Sequence, residues 1–465
     1  MPDRPNILWL MTDEQRADSL GYSATPWAQT PNLDQVALSG TRFSAAYTPS
    51  PVCVSARACM LTGRYGSSIG VLGNHHRLKL DDPRFLPWVF AAQGYQVAGF
   101  GKHHYNSHRQ AFDFEQQHIL GDRVDYYAYR TALDAAEAGV VRYNGGRSPW
   151  LFAGRYPGTI DDLPEMHNVN TALAWVRRRD PSRPFLLRLS FNAPHTPVVT
   201  PAPFDTLIDP DAIDLPLDRP PNMAFASATH RDYLCDYAGT QRLTDAQIRR
   251  ARQCYYGHVA CVDAILGRLL DELRALGELE NTLIAFVSDH GAHLGDHGFF
   301  QKQSFWDPSS RVPFFFAGLG IRRQRVDTPV SAGSLLPTLL DLAGLTKPET
   351  IEFASLSATL RAGSAPQAAP VFSELDHGVQ DYRQGDRYVM VRDGRWKLSL
   401  YRDPRDRDHY AGAEDRVLFD MESDPQEYVN RADDPACASV ISAMIARIDA
   451  WDRSRAVQTP TPVAE

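Results

Sequence analysis

Five short apolar runs recur along the chain, and none of them alternates between apolar and polar positions as a half-exposed strand does. Continuous apolar runs of this length are typical of strands that are buried on both faces. The runs span residues 7–11, 96–100, 185–191, 283–287 and 312–316. Helical patterns lie between them, and the clearest extends over about residues 247–276, with Gly277 as its C-terminal stop. Strands that alternate with helices predict a mostly parallel sheet covered on both faces.

The predicted fold class is therefore α/β, a large and mostly parallel sheet between helix layers, with a small C-terminal α+β domain. A length of 465 residues exceeds what one compact core of average size holds, so we expect two domains. We assign residues 1–371 to the α/β domain and residues 372–465 to the smaller one. The smaller domain should contain an antiparallel sheet and a terminal helix through residues 440–451.

Composition and charge narrow the classes of function. A net charge of −8 argues against a nucleic-acid-binding protein, which needs a basic face. No run reaches the roughly 18 apolar residues that span a bilayer, so we expect no membrane segment. Residues 1–6 are polar and do not resemble a signal peptide, which predicts a cytoplasmic protein. The six cysteines form no Cys-x-x-Cys pair, so neither a disulfide framework nor a zinc ribbon is indicated.

Polar residues follow four of the predicted strands directly. These segments are Thr12-Asp13-Glu14, Gly101-Lys102-His103-His104, Asn192-Ala193-Pro194-His195 and Ser288-Asp289-His290-Gly291. Ligands bind at the carboxyl ends of parallel strands, where the following loops converge. Taken singly, Asp13 is explained as a helix cap, His195 as a polar loop residue, and Lys102 as solvated surface. Their joint position after successive strands instead predicts one site for a metal and an anion.

The segment from Pro51 to Arg64 carries a family resemblance. Cys53, Arg57 and the run Leu61-Thr62-Gly63-Arg64 match in type and spacing the signature of type I sulfatases, which belong to the alkaline phosphatase superfamily. Further motifs follow in the family's order along nearly the whole chain. They include Gly101-Lys102-His103-His104, Ser288-Asp289-His290-Gly291, Gly295-Asp296-His297-Gly298 and Leu418-Phe419-Asp420-Met421-Glu422-Ser423-Asp424-Pro425. The resemblance implies the alkaline phosphatase fold and hydrolysis of a sulfate monoester, as by an arylsulfatase.

The resemblance also implies a cofactor and a set of site residues. In the family, the signature cysteine, here Cys53, becomes formylglycine through the action of a formylglycine-generating enzyme. One divalent metal ion is expected, calcium first, with magnesium or manganese left open. The metal candidates are Asp13, Glu14, Asp289 and His290. The catalytic candidates are Cys53, Arg57, Lys102, His104, His195 and Lys302. Asn74 is a candidate either for substrate binding or for a loop turn.

Three departures from the family pattern touch this site. Ser55 stands where the family has Pro or Ala two residues after the cysteine. Glu14 stands where the family has a second Asp, so it is either a metal ligand or a group beside the ligands. His290 stands where many relatives carry Asn, and its nitrogen would admit manganese or another transition metal in place of calcium.

Two other functions stay open. A phosphonate monoester or phosphodiester hydrolase of the same superfamily is the nearer alternative, although Lys102 and His104 favour sulfate. A non-catalytic binding protein is the other, because Ser55 puts the conversion of Cys53 in question.

His293 and His297 are read either as a second metal site or as support for their loop. Asp376, Asp381 and Arg383 are further candidates for reaching the site. The organic part of the small anionic substrate and the oligomeric state are not predicted.

Overall fold

The computed structural model of the chain describes residues 4–23, 25–107, 117–118, 139–143, 150–216, 235–236, 238–376, 387–402, 416–455 and 458. Asp381 and Arg383 lie outside these residues. The strands of the N-terminal part are β1 Asn6–Asp13, β2 Thr41–Phe43, β3 Ala46–Tyr47, β4 Gln96–Gly101, β5 Gln117–His118, β6 Val141–Tyr143, β7 Trp150–Tyr156, β8 Phe185–Pro194, β9 Val199–Pro201, β10 Thr282–Ser288, β11 Phe314–Gly318, β12 Gln324–Val326 and β13 Val330–Ser331. Eight of them form one sheet, in the order β12-β2-β11-β10-β1-β8-β4-β5.

The predicted parallel sheet is confirmed, with one reversed strand. β10, β1, β8, β4 and β5 run parallel to one another. β11 runs antiparallel to both of its neighbours, β10 and β2. It begins at Phe314, two residues after the predicted start, because Pro313 has no N–H to donate and the N–H of Val312 bonds to Ala46 instead.

Helices cover both faces of the large sheet, as predicted. The helices are α1 Pro31–Ser39, α2 Cys53–Thr62, α3 Gly66–Ile69, α4 Leu86–Ala92, α5 Pro164–Arg178, α6 Asp245–Ala275, α7 Asp307–Ser310, α8 Leu335–Leu342, α9 Ser357–Ala362 and α10 Ala438–Arg453. Leu8 and Leu10 of β1 belong to the core that contains α5 and α6, whereas Ile7, Trp9 and Met11 belong to the core that contains α2, α4 and α8. β1 is therefore buried on both sides, which explains why its sequence does not alternate.

Helix α6 is the predicted long helix. It begins at Asp245 because Thr244 and Gln247 form a capping box, in which each side chain bonds the other residue's backbone N–H. Gly277, with φ at +71°, follows its last turn, which confirms the predicted stop. Among the described helices, none combines the length and the apolar character that crossing a bilayer requires.

A second sheet follows the first. Its strands are β14 Val371–Asp376, β15 Arg387–Asp393, β16 Trp396–Arg402 and β17 Arg416–Asp420, and every neighbouring pair is antiparallel. Helix α10 packs against one face through Ile441, Met444 and Ile448. The opposite face packs on Tyr47 and Trp306 of the N-terminal part. The predicted small α+β unit is thus present, and the division at residue 371 stays a prediction.

Candidate active site

Two aspartates lie at the carboxyl ends of adjacent strands. β1 pairs with β10 up to Thr12 and Ser288, so that Asp13 and Asp289 follow at neighbouring positions. Both side chains are fully buried. The N–H of Glu14 and the N–H of His290 each donate to Oδ1 of Asp289, at 3.1 and 2.9 Å, which fixes the orientation of this carboxylate. The two acids that the sequence placed after successive strands are therefore close together.

Cys53 is the first residue of α2 and is buried beside these acids. Its Sγ lies 3.1 Å from Nε2 of His290, 3.4 Å from Nζ of Lys302 and 3.8 Å from Oδ1 of Asp13. Burial and the Asp13 charge raise the pKa of the Cys53 thiol, but the charges of Lys302, His290 and Lys102 outweigh both and hold this pKa well below its usual range. The positive charges around position 53 therefore stabilise an anionic side chain there.

Arg57 lies one helical turn after Cys53 and binds both aspartates. Its Nη2 is 2.9 Å from Oδ2 of Asp13, and its Nε is 2.7 Å from Oδ2 of Asp289. Its Nη1 donates to the carbonyl of Lys102 at 2.9 Å and to the hydroxyl of Ser190 at 2.8 Å. Because the guanidinium is planar and fully buried, these contacts lock β1, β4, β8 and the loop after β10 into one arrangement.

Lys102 reaches the cluster from the end of β4, whereas His104 forms no hydrogen bond or ion pair with it. Nζ of Lys102 lies 2.7 Å from Oδ2 of Asp13 and donates to Oδ1 of Asn192 at 3.1 Å. Burial raises the pKa of Asp13, yet Lys102, His195, Arg57 and Lys302 together hold it well below its usual range. His104 has a positive φ of +55° and forms no hydrogen bond or ion pair with any described residue.

Glu14, His195 and Lys302 form a second group beside Asp13. Oε2 of Glu14 lies 3.3 Å from Nζ of Lys302 and 3.4 Å from Nε2 of His195. Nε2 of His195 is also 3.9 Å from Oδ1 of Asp13. The carboxylate of Glu14 therefore faces these two basic side chains, while its backbone N–H contacts Asp289.

The donor set fits a divalent cation. Asp13, Cys53, Asp289 and His290 each offer one ligand atom, and these atoms lie within 4.8 Å of one another. Nδ1 of His290 donates to the carbonyl of Gly291 at 3.0 Å, so that Nε2 is the ring nitrogen that faces the group. Burial lowers the pKa of His290, but the Asp289 charge raises it to about 9, so a cation would bind at Nε2 by displacing a proton. Burial raises the pKa of Asp289, and the Asp13 carboxylate adds to this shift while Arg57 opposes it. A cation between the two carboxylates would relieve their repulsion.

Asn74 contacts the start of α2, and two further polar residues hold the cluster although neither was a candidate site residue in the sequence. Oδ1 of Asn74 accepts a hydrogen bond from the N–H of Val54 at 3.0 Å. Ser190 and Asn192 of β8 hold Arg57 and Lys102, respectively. Their signal was present, because they are polar residues at the end of an otherwise apolar strand.

His293 and His297 support their loop. Nε2 of His293 bonds to the hydroxyl of Ser304 at 2.6 Å, and its Nδ1 bonds to the carbonyl of Asp296 at 3.1 Å. The ring of His297 stacks on Trp306 with centroids 5.0 Å apart. Among the described residues, neither histidine belongs to a group of potential metal ligands.

A buried nucleophile position at a helix start, two lysines and a carboxylate–imidazole donor set are typical of a metal-dependent hydrolase of anionic esters. The chain belongs to the sulfatase family, whose sequence profile, described as Sulfatase, matches residues 5–345. A second profile, described as N-sulphoglucosamine sulphohydrolase, C-terminal, matches residues 295–454. The resemblance to sulfatases of the alkaline phosphatase superfamily and the prediction of an enzyme of the sulfuric ester hydrolase class are thereby confirmed.

Individual relatives cover almost the whole chain. It is 28% identical over 458 residues to the arylsulfatase of Clostridium perfringens, which covers 92% of this chain and 90% of the relative. It is 29% identical over 464 residues to the choline-sulfatase of Rhizobium meliloti, and the alignment covers 93% of this chain and 83% of the relative. The phosphonate monoester hydrolase of Agrobacterium radiobacter has the same fold, with a TM-score of 0.78 at 22% identity over 98% of this chain and 97% of that one.

Proposed function

We propose that this chain hydrolyses a small sulfate monoester with an oxygen nucleophile derived from Cys53. The observation that supports this most is the position of Cys53 at the start of α2, where Sγ lies 3.4 Å from Nζ of Lys302 and 3.8 Å from Oδ1 of Asp13. Sulfatases generally use formylglycine, whose hydrated aldehyde supplies a hydroxyl nucleophile, together with a divalent cation that neutralises charge. Asp13, Asp289 and His290 are the residues that would hold the cation.

The other side chains have roles that follow from their positions. Arg57 keeps the Asp13 and Asp289 carboxylates apart and oriented. Lys102 and Lys302 bring two positive charges to the oxygens of a sulfate group placed beside Cys53. Nδ1 of His195 donates to the carbonyl of Thr196, so that its Nε2 is the atom that takes up or releases a proton, and the leaving oxygen is the group it would serve.

Substrate preference tests this proposal against the phosphonate alternative. We expect a higher kcat/KM for an aryl sulfate than for an aryl phosphonate monoester or an aryl phosphodiester, with Lys102 providing charge for the sulfate oxygens. The Cys53→Ala variant should be inactive towards all three while keeping the thermal unfolding midpoint of the unmodified chain. A clear preference for phosphonate or phosphodiester would replace the sulfatase assignment by the alternative.

Peptide mass spectrometry tests the non-catalytic alternative. Chain produced together with a formylglycine-generating enzyme should yield a peptide in which residue 53 carries an aldehyde, trapped by hydrazine labelling. Ser55 stands inside the recognition segment, and its hydroxyl donates to the carbonyl of Val71 at 2.7 Å in the folded chain. A residue 53 that is always a thiol, with no turnover of any ester, would favour a binding protein.

A further inference from the structure

The turn that follows β1, directly after Asp13, is fixed by hydrogen bonds to side chains. Glu14 has a left-handed backbone, with φ at +62°. Its N–H donates to Oδ1 of Asp289 at 3.1 Å, and the N–H of Gln15 donates to the hydroxyl of Ser288 at 3.0 Å. A residue with a long side chain adopts a positive φ only where surrounding contacts hold it there. These two contacts join the turn to the end of β10.

Helix α6 contributes a third contact to this turn through Tyr255. The Tyr255 hydroxyl donates to the carbonyl of Glu14 at 2.6 Å and accepts from the N–H of Arg16 at 2.9 Å. Tyr255 is only 1% exposed, so water does not compete for either hydrogen bond. Because a phenol is both a donor and an acceptor, one hydroxyl satisfies a carbonyl and an N–H that lie two residues apart in the turn.

The residue whose N–H Tyr255 accepts also reaches the loop after β10. Nη1 of Arg16 donates to the carbonyls of Ala292 and His293 at 2.9 and 2.8 Å. The same loop begins with Asp289, one of the residues proposed to hold the cation. The backbone of the turn therefore influences how the ligand at the end of β1 and the ligands after β10 face each other.

The Tyr255 hydroxyl has a directional effect on the site. Without it, the carbonyl of Glu14 and the N–H of Arg16 would lose these buried hydrogen bonds. The turn would relax by rotating Glu14 out of the left-handed region, which turns the Glu14 N–H away from Oδ1 of Asp289. The Asp289 carboxylate would then be held less firmly in its direction. Groups that orient metal ligands typically contribute a factor of about 10 to 100 to metal affinity.

We propose that Tyr255 is a positioning residue of the cation site, because its hydroxyl holds the turn after β1 in the conformation that orients the Asp289 carboxylate. This inference rests on the cation site of the proposed function and goes beyond it, since Tyr255 lies on α6 and offers no ligand atom to the cation. The hydroxyl contributes to the affinity for the cation, and not only to the stability of the folded chain.

Calorimetric titration of the chelator-treated chain with Mn²⁺ tests the role of the hydroxyl, since Mn²⁺ accepts both carboxylate and imidazole ligands. Tyr255→Phe removes the hydroxyl and keeps the ring, and its Kd for Mn²⁺ should rise by about tenfold or more. The titration is made at a temperature at which circular dichroism shows the variant to be folded, so that lost stability does not enter the Kd. A crystal structure of Tyr255→Phe should show Glu14 without its contact to Asp289.

Tyr95→Phe is the matched control, because it makes the same chemical change near the opposite end of β1. Tyr95 is also 1% exposed, and its hydroxyl donates to the carbonyl of Pro5, the residue before β1, at 2.9 Å. Tyr95→Phe should lower the thermal unfolding midpoint, as the loss of a buried hydrogen bond does. Its Kd for Mn²⁺ should equal that of the unmodified chain, since Pro5 lies at the end of β1 away from the site.

Four outcomes would each overturn the inference. They are an unchanged Kd in Tyr255→Phe, an equal rise of the Kd in both variants, an unfolded Tyr255→Phe beside a folded Tyr95→Phe, and no binding of Mn²⁺ by the unmodified chain. Turnover of 4-nitrophenyl sulfate tests the proposed function separately. A chain that binds Mn²⁺ but hydrolyses no ester would lose the proposed function, whereas weaker binding in Tyr255→Phe alone would still support the positioning role.

Discussion

Arg57 shows most clearly how a single residue organises the candidate site. Its guanidinium is fully buried between Asp13 and Asp289, and it also binds Lys102 and Ser190 through their carbonyl and hydroxyl oxygens. Two buried carboxylates without this partner would repel each other and lack solvation. Arg57, the arginine of the signature segment, therefore matters as much for the structure of the site as for its chemistry.

We expect Arg57→Met to lower the free energy of unfolding by roughly 3 kcal/mol, because it removes the nearest cationic partner of the buried Asp289 carboxylate and leaves Asp13 with Lys102. Urea denaturation in the presence of a chelator measures this without help from a bound cation. Arg325→Met is the matched control, since Arg325 and its partner Asp327 are 60% and 67% exposed at their side chains and should contribute little. Equal shifts of the two urea midpoints would show that Arg57 does not hold the carboxylates.

Metal content tests Asp289 and Glu14, which belong to two different groups of potential metal ligands in the structure. Asp289→Ala should abolish tight binding of calcium, magnesium or manganese, because Asp289 lies in the donor group with Asp13 and His290. Glu14→Gln should keep most of the metal binding, since the Glu14 side chain faces Lys302 and His195. Elemental analysis after dialysis gives the occupancy. Retained metal in Asp289→Ala would remove that residue from the ligand set, and complete loss in Glu14→Gln would add Glu14 to it.

At the residue scale, the sequence predicted which side chains lie close together but not the direction in which each one points. Asp13, Lys102 and Asp289 were expected together because strand ends converge, and Cys53 was expected with them from the family resemblance; the structure brings the four together. The direction of Glu14 was not predictable, since it depends on a backbone φ of +62° and on two basic partners distant in sequence. Their chemical roles stay predictions.

At the scale of elements, the end of β4 is tightly constrained by its neighbour β8. Gly101 has φ at +87°, and a Cβ there would lie 2.1 Å from the carbonyl oxygen of Ser190 in β8. The N–H of the next residue, Lys102, donates to that same carbonyl at 2.7 Å. Only glycine lets the two strands approach closely enough for Lys102 to reach Asp13.

Gly101→Ala should therefore destabilise the chain strongly and remove sulfatase activity, because the added methyl pushes β4 away from β8. Gly344→Ala is the control: its φ is +66° as well, but nothing lies within 4 Å of its Cβ position, so only the backbone strain of about 1 kcal/mol remains. Thermal unfolding and aryl sulfate turnover compare the two. The steric argument is wrong if both variants behave alike.

Element boundaries illustrate what an apolar pattern leaves out. The predicted run at residues 185–191 continues as a strand to Pro194, because polar residues at a strand end pair with β1 as far as Asp13. The shift of β11 by two residues comes from a single proline. The direction of β11 depends on its pairing with strands that are distant in sequence. The pattern of its own residues does not predict that direction.

At the scale of the whole molecule, a buried ion network joins the second sheet to helix α7 of the N-terminal part. Nζ of Lys397 in β16 lies 2.8 Å from Oδ1 of Asp307 and 2.6 Å from Oε1 of Glu427, and Oε2 of Glu427 accepts from the N–H of Asp307. One lysine thus faces two buried carboxylates. No local pattern in the sequence predicted this network, because its members are up to 120 residues apart.

The surplus negative charge of this network makes stability depend on pH. Burial raises the pKa of Glu427 from 4.5 to about 7, with Asp307 adding to the shift and Lys397 opposing it. The folded chain therefore keeps a proton that the unfolded chain loses above pH 4.5, and the contribution of Glu427 to the free energy of unfolding falls as the pH rises from 4.5 to about 7.

Glu427→Gln keeps the acceptor for Asp307 and cannot lose a proton, so its unfolding midpoint should fall less than that of the unmodified chain over this range. Glu422→Gln, at an exposed position, should follow the unmodified chain. Parallel curves for all three proteins would mean that Glu427 is already ionised in the folded state at pH 5 and that Lys397 neutralises it fully.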